Sequence, residues 1–161
     1  DDATGATARK TFKKAGSAKV AVQVTDELGA TTTAFESFSI DSEAMLTPFP
    51  IVRISGHFSR SGVQLSRLLV QAPRGARVLI RCHGRGCPRK KVSRAVATRS
   101  ATKSLRFASF ERFLPAGIVL DVRVTKSGQI GKITRIRVRS GRAPSRSDRC
   151  LSRGNSVRCP K

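Results

Sequence analysis

Apolar residues recur at every second position through most of this chain, and that period admits strands and little else. The clearest run is Ile118-Val119-Leu120-Asp121-Val122-Arg123-Val124-Thr125. Lys126-Ser127-Gly128 supplies a turn after it, and Lys132–Arg139 reads as the returning strand. Ile51–Gly56, Leu65–Ala72 and Ala76–Cys82 are further strands, the last two separated by the turn Pro73-Arg74-Gly75. Lys103–Ala108 is a weaker one. Phe107, Phe110 and Leu114 fit a helical face, but Pro115 and Gly117 stop it after a turn or two. Short strands punctuated by Gly and Pro predict an all-β chain of antiparallel sheets, a sandwich or barrel. No apolar run approaches the roughly 18 residues that a membrane helix needs.

The N-terminal part carries one hairpin. In Lys19–Thr25 the side chains of Val20, Val22 and Val24 share a face, Asp26-Glu27-Leu28-Gly29 is a turn, and Thr31–Ile40 returns. Phe35 and Phe38 sit three apart, which breaks the period and predicts a bulge. Charge changes abruptly after this hairpin. Residues 1–50 hold five Lys/Arg against seven acids, whereas residues 51–161 hold 27 Lys/Arg against only Glu111, Asp121 and Asp148. The jump predicts two pieces: residues 1–41, a linker over 42–50 with Pro48 and Pro50, and a basic β-domain over 51–140. Residues 141–161 form an Arg/Ser/Pro-rich tail, flexible or held only by its cysteines. The chain opens on Asp1-Asp2-Ala3 and its only methionine is Met45, which points to a piece of a longer, processed polypeptide with its parent chain upstream.

Thr11-Phe12-Lys13-Lys14-Ala15-Gly16, followed by Val20-Ala21-Val22-Gln23-Val24-Thr25-Asp26 and Gly29, resembles the latter half of a PKD domain. That family is an Ig-like β-sandwich of extracellular proteins, often a spacer beside enzymatic or binding modules. Phe12 takes the family's aromatic place, while the upstream Gly-Asp-Gly region and first strands are missing, with Asp1-Asp2 at most a remnant. The resemblance covers about 40 residues and implies an incomplete sandwich with an open apolar face. The remainder is similar to a basic, Arg-rich C-terminal module of large secreted proteins of soil actinobacteria. The shared elements are Ala72-Pro73-Arg74-Gly75-Ala76, Arg81-Cys82-His83-Gly84-Arg85-Gly86-Cys87-Pro88, Leu114-Pro115-Ala116-Gly117, Ile130-Gly131-Lys132, Asp148-Arg149-Cys150 and Cys159-Pro160. This second resemblance implies an extracellular or cell-surface location and a β fold, and no particular activity.

Cys82 and Cys87 enclose four residues, and Cys150 and Cys159 enclose eight. Two close pairs are the pattern of two local disulfides in an oxidising compartment, although four cysteines permit three pairings. The alternative is a zinc site of four thiolates, with His83 as a substitute ligand. Zinc ribbons more often use Cys-x2-Cys, and the surrounding guanidinium groups already balance thiolate charge.

Arginine placement is the main functional signal. In Thr134-Arg135-Ile136-Arg137-Val138-Arg139 the period of two sends Ile136 and Val138 inward and puts Arg135, Arg137 and Arg139 on one outer face. Alternate residues on a strand lie about 6.8 Å apart, a spacing like that of charges on an extended polyanion. Arg123 projects to the same side if the two strands pair. The stretch from Arg81 to Lys91 adds Arg85, Arg89 and Lys90, and Gly84 and Gly86 allow a backbone nest for an anion. The competing reading is a solvated face in a chain that favours arginine.

The same scarcity of acids leaves little for catalysis. His57 and His83 lack sequence-adjacent carboxylates, Asp121 is expected in a cross-strand ion pair, and Glu111 and Asp148 stand isolated. No serine lies in a nucleophile elbow and there is no Gly-Lys-Ser/Thr phosphate loop. Phe107, Phe110 and Phe113 are expected in the core rather than as a base-stacking platform. These features predict a non-enzymatic extracellular interaction or spacer module, without metal or cofactor. It would dock a larger protein on anionic envelope or matrix polymers, extracellular DNA included. The alternative is a dedicated nucleic-acid-binding protein, zinc-stabilised if the cysteines are free; it lacks a helix-turn-helix, zinc-finger or RNP signature.

Overall fold

The computed structural model describes residues 4, 5, 7–10, 12, 16–40, 43–97 and 99–160, in two units, Asp1–Ser42 and Glu43–Lys161. Asp1, Asp2, Thr11 and the Lys13-Lys14-Ala15 part of the PKD-like pattern lie outside the described residues, as does Asp41.

In the first unit, β1 (Gly16–Thr25) and β2 (Thr31–Ile40) form an antiparallel hairpin. Asp26 Oδ1 accepts hydrogen bonds from the amides of Leu28 at 2.9 Å and Ala30 at 2.8 Å, and Gly29 takes φ 85° to close the turn. The expected bulge is absent: the register runs unbroken from Gly16↔Ile40 to Thr25↔Thr31. Instead Phe35 and Phe38 occupy opposite faces. Phe38 lies opposite Ala18 on the face of Val20, Val22 and Val24, and the Phe12 ring meets it edge-on at 5.4 Å. Phe35 sits on the polar face, where Lys19 Nζ stands 4.2 Å from its ring centroid. A cation–π contact thus accommodates the aromatic residue that breaks the apolar pattern. Val22 is 57% exposed and Val24 62%.

Among its described residues the second unit is two packed sheets, all-β apart from a single 3-10 turn at Ala108–Phe110. The larger sheet runs β13 (Asn155–Val157), β12 (Arg142–Ser152), β11 (Gln129–Arg139), β10 (Val119–Lys126), β6 (Arg77–His83), β7 (Lys91–Ala95). The smaller sheet places β5 (Gly62–Pro73) between β4 (Ile51–Phe58) on one side and β8 (Thr102–Arg106) with β9 (Phe113–Pro115) on the other. These pairings are all antiparallel. Val52, Leu68 and Val70 of the smaller sheet share one core with Val78, Ile80, Leu120, Val122 and Ile136 of the larger. Close backbone approach demands glycine at position 62, where a Cβ would come within 2.2 Å of the Leu114 carbonyl oxygen.

Two expected boundaries change. Residues 43–50 are not a linker but part of the second unit. There β3 (Ala44–Met45) pairs parallel with Gln129–Ile130 of β11, Leu46 is 1% exposed, and Lys132 Nζ donates to the Pro50 carbonyl. A two-residue strand is too short to show a period, so the segment reads as irregular. The C-terminal segment is likewise no loose tail. β12 pairs along β11 from Gly131↔Leu151 to Arg139↔Arg142, and Cys150 and Leu151 are buried. Its inward positions include Arg146 and Asp148, whose charges hide the strand signal; Arg146 Nη1 donates across to the Val52 carbonyl at 2.8 Å. β7 and β9 were not anticipated, the first because an edge strand with one half-buried residue has no apolar face to read.

The sulfurs are bonded as Cys82–Cys87 and Cys150–Cys159, and no cysteine is free. The thiolates that a zinc site would require are therefore consumed.

Candidate anion-binding face

Register decides which arginines meet. On the outer side of the larger sheet, Arg81 of β6 lies opposite Asp121 of β10, which lies opposite Arg135 of β11. One row towards the loop end stand His83, Val119 and Arg137; one row the other way, Leu79, Arg123 and Ile133. Lys91 extends the first of these rows on β7, and Arg149 extends the last on β12. The fold thus gathers Arg81, Lys91, Arg123, Arg135 and Arg137 on one face. It adds Arg77, which donates to Ser93 Oγ, and Arg149. Sequence reasoning missed these two: Arg77 is an isolated basic residue at a strand start, and Arg149 belonged to the supposed tail. Alternation along Ser145-Arg146-Ser147-Asp148-Arg149 was the available signal.

The middle of this face sinks into a depression of about 310 Å³ lined by Arg81, His83, Val119, Asp121, Arg123, Arg135 and Arg137. At its floor lies Asp121, 3% exposed. Arg135 Nε donates to Oδ1 at 2.7 Å and Nη2 to Oδ2 at 2.9 Å, while His83 Nε2 stands 3.8 Å from Oδ2. The Arg135 guanidinium holds the Asp121 carboxyl below the usual carboxylate range, against the opposing effect of burial, with smaller help from His83 and Arg123. The cross-strand pair expected of Asp121 is present. Its consequence is that Arg135 is not a free cation: one edge of its guanidinium is occupied. Arg123 Nε is buried and has no hydrogen-bond partner.

The other expected anion ligands divide. Arg139 directs Nε and Nη2 to the Ala143 carbonyl and so clips the β11–β12 hairpin. Arg85, Arg89 and Lys90 lie in the loop joining β6 to β7, which the Cys82–Cys87 bond and the Cys82 amide to Lys90 carbonyl hydrogen bond close. Gly84 and Gly86 take φ 109° and 87° there. A Cβ on Gly86 would fall 2.9 Å from the Pro115 ring, so packing of the loop on that corner accounts for the glycine. Of the three Phe considered together, Phe107 and Phe110 are fully buried, whereas Phe113 is 43% exposed and rests over Gly62. His57 and His83 are exposed. Among the described residues no cluster of His, Cys, Asp and Glu is placed to hold a metal ion, and no helix is long and apolar enough to cross a membrane.

All three acids of the basic stretch are used structurally. Glu111 accepts from Arg106 Nε at 2.8 and 3.0 Å and from the Leu68 amide at 3.1 Å, filling the gap along β5 between its two neighbours. Asp148 accepts from Thr134 and Arg146 beside Lys132 Nζ. Hydrogen bonding from Arg106 lowers the Glu111 pKa; at Asp148 burial pushes upward and the bonds from Arg146 and Thr134, with the Lys132 charge, outweigh it. Each folded pKa thus lies below its unfolded value. The stability contributed is fully present above the ordinary carboxylate range, about pH 4, and disappears as pH falls through the lowered folded values. Thermal melts followed by circular dichroism should therefore show a plateau at neutral pH and a falling midpoint below about pH 4. A midpoint independent of pH down to 2.5, a value about 1.5 units below that range, would contradict these assignments.

No family model, curated protein or solved structure matches the chain.

Proposed function

We propose that the second unit is a non-catalytic extracellular docking module whose larger sheet lays its basic outer face on anionic envelope or matrix polymers. The observation that carries this reading is the convergence of seven Lys/Arg and one buried carboxylate on a single face. Two disulfides are compatible with an oxidising, extracellular setting. The first unit, which resembles a PKD domain, serves as the spacer towards the parent polypeptide. Leu79, Val119 and Ile133 are the apolar residues of the basic face's three central rows, and among the described residues those rows carry no Phe, which suits recognition of backbone charge rather than base stacking.

The test is affinity for immobilised anionic polymers, duplex DNA among them, as salt is raised. Log affinity should fall linearly with log salt. Arg81→Glu combined with Arg137→Glu should weaken binding about 100-fold with an unchanged melting point, since both side chains are exposed. Arg53→Glu with Arg67→Glu, on the smaller sheet, changes net charge equally and should weaken binding less than about 10-fold. Equal losses from the two pairs would mean that charge acts without a defined face.

A further inference from the structure

Resting on that reading, we infer that Asp121 is a positioning residue that makes the depression selective for phosphate groups of a flexible phosphodiester chain, over carboxylate polymers. The geometry starts from Arg135. Its Nε and Nη2 occupy the two Asp121 oxygens, a side-on pairing that fixes the plane of the guanidinium. The remaining hydrogens of Nη1 and Nη2 form a second fork, and with Arg135 52% exposed that fork is available to a ligand. Because Asp121 is nearly inaccessible, it orients the fork without presenting negative charge to the solvent.

The surroundings suit a tetrahedral oxyanion. Arg81, Arg123 and Arg137 approach the same depression from neighbouring strands, together with His83. The two non-bridging oxygens of a phosphodiester sit on tetrahedral phosphorus and accept over a broad range of directions, so forks from different sides can meet them; a planar carboxylate accepts mainly in its own plane. Arg123 gives an additional reason. Its buried Nε makes no hydrogen bond in the resting arrangement, so turning its guanidinium towards a bound oxygen sacrifices no existing bond at that atom. Arg135 lines the depression over the buried Asp121, so a phosphate that reaches all of its guanidinium groups dips towards the sheet surface. A flexible polyol-phosphate chain can do this at any repeat, whereas a duplex holds its phosphates on a stiff surface.

Asp121→Asn provides a test in which sign, not size, decides. The substitution adds one positive charge, so a face acting through charge alone would bind every polyanion more tightly. A face that depends on an oriented Arg135 would bind poly(glycerol phosphate) more weakly while gaining affinity for polygalacturonate. Titrations of the full chain with these two polymers, at matched charge and about 0.15 M salt, should show an about tenfold preference for the phosphate chain in the natural protein. Asp121→Asn should abolish it. Arg135→Lys, an exposed substitution that keeps the charge and removes the fork, should also abolish it. Tighter binding of both polymers by Asp121→Asn, a preference retained in Arg135→Lys, or duplex DNA outcompeting the phosphate chain would overturn the inference. Equal binding of both polymers by the natural protein would overturn it and leave the docking reading standing. Binding of neither would overturn both.

Discussion

Reduction of both disulfides is expected to destabilise the larger unit by about 5 kcal/mol, a large share of the roughly 5–15 kcal/mol that holds a domain folded. The bonds close loops of different length: Cys82 and Cys87 are five positions apart, Cys150 and Cys159 nine. In the chain-entropy account these contribute about 2 and about 3 kcal/mol. The shorter bond closes the turn at the end of β6 and keeps Gly86 against Pro115, beside the depression of the basic face. The longer one joins the fully buried Cys150 of β12 to the segment just after β13. Urea titrations with and without reductant measure the total. Cys82→Ala with Cys87→Ala, and Cys150→Ala with Cys159→Ala, separate the parts without leaving a buried thiol or hydroxyl. The second pair should be the more damaging and should free β13, while β12 stays paired to β11. Coincident urea curves in the two redox states would show that the bonds are incidental. A gap of that size is compatible with the oxidising setting that the docking reading supposes.

Sequence reading succeeded where burial is one-sided. Val119–Lys126 forms β10 and Gln129–Arg139 forms β11 because Leu120, Val122, Val124, Ile136 and Val138 need an inner face and their charged neighbours need an outer one. It failed where the inner positions are polar. β12 places Arg146 and Asp148 at the rim of the sandwich, satisfied by the Val52 carbonyl, Thr134 and each other, and no hydropathy pattern encodes such cross-chain hydrogen bonds. The hairpin failed differently: Phe35 on the polar face imitates a slipped register, and only the lysine above it reveals otherwise.

The candidate site divides along the same line. Arg135, Arg137 and Arg139 share a face by local alternation alone, which the sequence displays. That Arg135 is tied to Asp121, that Arg139 spends its guanidinium on the Ala143 carbonyl, and that Arg81 joins them from across β10 all depend on pairing between strands distant in sequence. The scarcity of acids also acquires a cause. Glu111, Asp121 and Asp148 are each held by an arginine and together patch a strand gap, the middle of a sheet and the rim of the sandwich. Of the other cations on the outer face, Arg81 and Arg123 neighbour only Asp121, whose carboxylate is buried and shows almost no charge to solvent, an arrangement suited to a polyanion-binding surface.

Phe110→Ala is expected to destabilise the larger unit by about 3–5 kcal/mol, and Phe113→Ala, three residues later, by less than about 1 kcal/mol. The chain has no Trp or Tyr, so its eight Phe are the entire aromatic supply, and only Phe107 and Phe110 are fully buried. Phe110 ends the 3-10 turn, its amide donating to the Phe107 carbonyl at 3.0 Å, and Glu111 follows directly with its carboxylate on the Leu68 amide. Emptying the Phe110 site therefore opens a cavity and loosens the turn that carries this strand patch, two effects acting in the same direction. Phe113 is 43% exposed and loses mainly its cover over Gly62. Urea denaturation of the two variants measures the difference, and equal destabilisation would refute the packing account. The core substitution also separates stability from function. Phe110 belongs to the core between the two sheets, and the basic face lies on the outer side of the larger sheet. Under conditions where Phe110→Ala remains folded, its affinity for anionic polymer should equal that of the natural chain, whereas Arg81→Glu with Arg137→Glu should lose affinity without losing stability. Those opposite outcomes would assign folding to the shared interior and binding to the arginine-bearing surface.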